Sequence, residues 1–161
     1  MHGQEVSEAA PGQRVAVNLP GIGKEHISRG EILAAAGSME GTMIADVRLQ
    51  LLKSGQRTLK SGTRVHLYHG AAELVCKIIL FDRAVLKPGE EAIVQLRMEQ
   101  VTAMKAGDHF VIRFYSPVET IGGGVVLNPN GVKRKKGQNA DAAVRYACTG
   151  KERKKAHAAG K

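Results

Sequence analysis

Tryptophan is absent from the 161-residue chain, and aromatic residues make up only 4% of it. Its two cysteines, Cys76 and Cys148, stand far apart with no second ligand at metal spacing. That excludes a disulfide framework and a zinc knuckle, and it suits a reducing, cytoplasmic compartment. No apolar run approaches the roughly 18 residues that a membrane-spanning helix needs, so no membrane contact of that kind is expected. Met1-His2-Gly3-Gln4-Glu5 has no basic stretch leading into an apolar one, and no signal peptide is expected.

Recognisable catalytic patterns are missing as well. Gly21-Ile22-Gly23-Lys24 lacks the spacing of a phosphate loop and the Ser or Thr that should follow the lysine. Gly122-Gly123-Gly124 sits inside a strand pattern and opens no helix, so a bulge or a close backbone approach is its reading. His66 and His69, three apart on a strand, project to opposite faces and do not form a metal pair. No nucleophile and base can be grouped from chain order. The sequence offers no positive sign of an enzyme active site.

What is present is aliphatic and alternating. Hydrophobic residues make up 43% of the chain, too many for a uniformly disordered polymer, and the length suits one ordinary domain or two small pieces. Val15, Val17 and Leu19 share one face of Arg14–Leu19. Further strands are expected over 43–52, 64–69, 72–81, 91–99, 109–115 and 120–127. Gly- or Pro-bearing turns separate them, as at Lys60-Ser61-Gly62, Lys87-Pro88-Gly89 and Ala106-Gly107-Asp108. Short strands at this spacing predict an all-β sandwich or barrel, and branched aliphatics can fill a small barrel with few aromatics. The Ala-rich break across 33–42 divides about forty residues, too few for an independent sheet, from about ninety that suffice for a complete barrel. The domain boundaries expected are therefore 1–36, 37–131 and 132–161.

Charge separates the body from the tail. Residues 132–161 hold ten Lys and Arg against Asp141 and Glu152, a balance of +8, which leaves the body at +1 of the total +9. Such a basic tail can neutralise phosphates and release counterions, or it can be a solvated linker. Within it, 139–148 reads as a short helix capped by Asn139 and stopped at Gly150, with a face too alanine-rich to pack strongly; otherwise the tail is disordered.

Pro11-Gly12-Gln13-Arg14-Val15-Ala16-Val17-Asn18-Leu19, then Gly21-Ile22 and Ile27-Ser28-Arg29-Gly30, resembles the last strands of the second domain of elongation-factor-Tu-like translation GTPases. More narrowly, the chain is similar to the selenocysteine-specific elongation factors. The register continues through Asp46–Leu52, Leu59–Val65, Pro88-Gly89-Glu90 and Gly107–Pro117, and ends at Thr120–Leu127, which looks like the last strand of the third domain. The resemblance implies a remnant of the domain-two β-barrel followed by the whole domain-three β-barrel. The GTPase domain, with its GTP and magnesium, would lie outside this chain, which would then be non-catalytic.

The implied partners are selenocysteyl-tRNA, the GTPase domain of the parent factor and the ribosome. On matching segments the resemblance points to Arg57, Lys60, Arg64, Arg113, Tyr115 and Ser116 as tRNA-binding residues. An A-form backbone is read by shape, through cations and donors spaced along its phosphates. It also points to Arg14 and Arg29 at the aminoacyl and acceptor end, where a cation would suit a selenolate. Two other readings remain open. One is a protein–protein docking barrel that touches RNA only through the tail. The other is a free-standing basic-tailed barrel acting on other RNA.

Overall fold

A strand that must bury one face alternates, and this chain alternates for most of its length beyond residue 40. The computed structural model describes residues 6–134. Eight strands follow: β1 (Gly41–Leu51), β2 (Leu59–Lys60), β3 (Arg64–His69), β4 (Ala72–Leu80), β5 (Val85–Leu86), β6 (Glu91–Ala103), β7 (His109–Arg113) and β8 (Thr120–Asn128). Six of them close into a barrel in the order β1-β6-β4-β3-β7-β8, and β8 returns to β1. Every pairing is antiparallel. Closure removes the edges that an open sheet of this size would expose.

Alternation decides what fills the interior. Val47 and Leu49 of β1, Leu67 of β3, Ile78 of β4, Leu96 of β6 and Ile112 of β7 are all fully buried. Each such side chain contributes about 1.5–3 kcal/mol by leaving water. β2 and β5 form a separate two-stranded sheet whose Leu59 and Leu86 join the same buried cluster. These two short strands were not apparent from the alternation, because two residues show no period.

The glycine run of β8 is a seam. A Cβ at Gly122 would lie 2.4 Å from the Gln50 carbonyl oxygen, and one at Gly124 would lie 1.9 Å from that of Arg48. Only residues without side chains let β8 approach β1 so closely. The close-approach reading of this run therefore holds.

Residues 6–40 depart from expectation. No strand forms across Arg14–Leu19; among the described residues the only regular element before β1 is a single 3-10 turn at Lys24–His26. Val15 and Val17 stand 43% and 59% exposed. A strand exists through its ladder partners, and no barrel strand pairs with this segment. The segment reaches the barrel at Gly30, where φ is +97° and a Cβ would lie 2.6 Å from the Cα of Ala72. The tail helix expected at 139–148 lies outside the described residues.

Candidate nucleic-acid interface

The same alternation that fills the barrel dresses its outside. On β3 the odd positions point in, so Arg64, His66 and Tyr68 share the outer face. On one side β7 sets Arg113 opposite His66 and Val111 opposite Tyr68. On the other, β4 sets Lys77 opposite Arg64 and Glu73 opposite Tyr68. Tyr115 lies two residues beyond β7, and its ring centroid lies 4.0 Å from that of His66, with the planes 38° apart.

Guanidinium groups interleave with these rings. Arg57 stands 4.3 Å over Phe114, Arg64 5.7 Å from the Tyr115 centroid, and Arg113 5.8 Å from that of Tyr68. Arg57 Nη1 also donates to the Ser116 carbonyl at 3.4 Å. A guanidinium held against a ring face keeps its N–H edge free for a planar or tetrahedral anion, and the ring limits its wandering. Arg113 Nε is buried and finds no acceptor among the described residues.

Carboxylates hold part of this face. Glu99 accepts two hydrogen bonds from Arg64, Nε to Oε1 at 2.8 Å and Nη2 to Oε2 at 2.7 Å. Those bonds lower the Glu99 pKa below the usual carboxylate range and raise that of Arg64. Glu73 accepts the Tyr68 hydroxyl at 2.9 Å and lies 3.3 Å from His66 Nδ1. Both carboxylates stand largely in solvent, so their pairs are exchangeable.

Of the residues singled out from sequence, Arg57, Arg64, Arg113, Tyr115 and Ser116 come together here. Lys60 does not: it is exposed on β2, in the separate small sheet. Arg29 is exposed and lines a cleft of about 390 Å³ with Ser28, Glu31, Gln100 and Thr102. Arg14 is not among the residues lining that cleft; it stands exposed among the unpaired residues of the N-terminal segment. His66 and Tyr68 were missed, although the period of β3 already sets them on the face of Arg64. Glu99 was not legible, because it reaches the cluster only through folding.

His66 and His69 do face opposite ways: His66 lies at the surface cluster, while His69 is 7% exposed with Nε2 3.0 Å from Asp108 Oδ2. Among the described residues no three His, Cys, Asp or Glu side chains converge as metal ligands would. The Gly21–Lys24 string offers no phosphate cradle. Only a three-residue 3-10 turn follows Gly23, and the exposed Glu25 carboxylate lies 2.0 Å from where a Gly23 Cβ would stand.

The closed antiparallel barrel belongs to a class that the comparisons identify, the β-barrel domains of elongation-factor-Tu-like proteins. The chain is 30% identical to elongation factor Tu 2 of Streptomyces avermitilis over 128 residues, 77% of this chain and 32% of that protein. It is 35% identical to the selenocysteine-specific elongation factor of Desulfomicrobium baculatum over 154 residues, 94% of this chain and 24% of that protein. The model of the selenocysteine-specific elongation factor β-barrel domain matches residues 45–133. The chain belongs to that family. It spans 24% and 32% of the length of these two relatives. No helix among the described residues is long and apolar enough to cross a membrane.

Proposed function

We propose that this chain is the non-catalytic aminoacyl-tRNA-binding and domain-docking part of a selenocysteine-specific elongation factor, acting in selenocysteine incorporation in the cytoplasm. The observation that carries the reading is the outer face of β3 and β7, where Arg64 and Arg113 stand beside Tyr115 and Tyr68 on a barrel of that family, with Arg57 at its margin over the core ring of Phe114. Guanidinium groups spaced along one face suit successive phosphates of an A-form helix, recognised by shape. The RNA on this reading is selenocysteyl-tRNA, with the ribosome as the site of delivery. Arg29, and more remotely Arg14, would face the aminoacyl end, where a cation favours the selenolate that serine lacks. GTP and magnesium belong to a separate GTPase domain, against which the barrel docks.

Titration of the chain with tRNA tests this directly. Binding should weaken steeply as salt rises from about 50 to about 200 mM, because phosphate contacts release counterions. Absence of tRNA affinity at the lower salt, with the barrel folded, defeats the reading.

The near-neutral body, at +1, favours a second reading in which the barrel docks on a GTPase domain and the tail alone meets RNA. Neutralising the lysines and arginines beyond residue 134 separates the two. Strong tRNA retention after that change defeats the docking-only view.

A further inference from the structure

Asp46 and Gln95 stand on the outside of the barrel, at register partners on β1 and β6, yet neither has any exposed surface. What covers them is the chain after β8. The Gly131 amide donates to the Ile44 carbonyl at 2.9 Å. The Gln95 amide then uses its full hydrogen-bonding capacity. Its Nε2 donates to Asp46 Oδ1 and to the Val132 carbonyl, both at 3.0 Å. Its Oε1 accepts from Arg97 Nε at 3.1 Å and from the Arg134 amide at 3.4 Å. Arg97 Nη2 donates to the Arg134 carbonyl. The Arg134 guanidinium closes the arrangement, with Nη2 3.2 Å from Asp46 Oδ2 and Cζ 5.8 Å from the centroid of the Phe81 ring.

We propose that Asp46 and Gln95 form a receptor for residues 131–134, making this stretch a strap of the barrel and fixing where the basic segment departs. A buried carboxylate without a counter-charge is costly, and Arg134 supplies that charge from a site only 14% exposed. In a six-stranded barrel of this order, the β1–β6 pair lies across from the β3–β7 pair. The cationic run that begins at Lys133 therefore starts from the side opposite the Arg and aromatic face.

Amide hydrogen exchange on the full chain tests the strap without any variant. The amides at 131 and 134 should exchange at least tenfold slower than free peptide, and free-peptide rates there overturn the proposal. Asp46→Asn should abolish that protection, speed trypsin cleavage after Lys133 by tenfold or more, and lower the melting temperature by about 10 °C or more. If Asp46→Asn does not fold, the same measurements on Arg134→Met take its place. A folded variant with wild-type protection at 131 and 134 and wild-type melting overturns the receptor. Loss of both supports it, whatever the chain's affinity for RNA.

Discussion

On the β3–β7 side, Arg64 is 52% exposed and holds Glu99, itself 40% exposed, through two short hydrogen bonds. On the β1–β6 side, Arg134 is 14% exposed and meets an Asp46 with no exposure at all. Both are arginine–carboxylate pairs, but the surrounding medium gives them opposite uses. In solvent the pair is worth little to stability, so an incoming phosphate can take the place of the carboxylate. In the interior each partner makes the other tolerable, and loss of either leaves a stranded charge. Burial, rather than pairing, tells a binding arginine from a structural one.

The strongest way to break this comparison is to remove the buried partner. Asp46→Ala or Arg134→Met should each cost about 3–5 kcal/mol in urea unfolding, and the double variant should cost much less than their sum. Additive costs would mean that the pair does not interact. Next in size is RNA affinity. Replacing Arg64 and Arg113 together with alanine should weaken tRNA binding about tenfold and flatten the logarithmic salt slope by about two, with melting almost unchanged. Equal loss of melting temperature would make these arginines structural after all.

Glu99→Gln sharpens the contrast at smaller scale. It should leave stability almost unchanged while raising RNA affinity a few-fold, because it frees Arg64 from its carboxylate. The smallest effect depends on pH. Glu99 has its pKa lowered in the folded state, so whatever stability its pair contributes is present above the ordinary carboxylate range. That contribution disappears as pH falls through the folded value. The melting difference between wild type and Glu99→Gln should therefore vanish in acid, and a difference that grows there would reverse the assignment.

Much of the barrel could be read from period-two alternation. The strand expected over 64–69 coincides with β3, that over 72–81 overruns β4 by one residue, and that over 120–127 falls one short of β8. Alternation reports which face is apolar; it does not report what covers the polar face. Asp46 and Gln95 lie on outward faces, and only the returning strap makes them buried. The Arg14–Leu19 pattern failed for the converse reason. Its alternation describes a strand able to pair, while pairing needs a neighbour. At the candidate interface, Arg64 and Arg113 are placed by resemblance at matching positions, and Tyr115 only by its neighbourhood. Glu99 was invisible because it lies 35 residues away from Arg64 in sequence and meets it only across β4.

The glycine seam bears on how the molecule comes into being. β8 is the last of the six strands to leave the ribosome, and it alone joins the first strand to β7. Until residues 120–128 emerge, the nascent sheet has two raw margins, on β1 and β7, open to pairing with other chains. A bulky residue at Gly124 would keep those margins apart even after synthesis is complete, so a change there would register as aggregation during expression before it registered as lost binding.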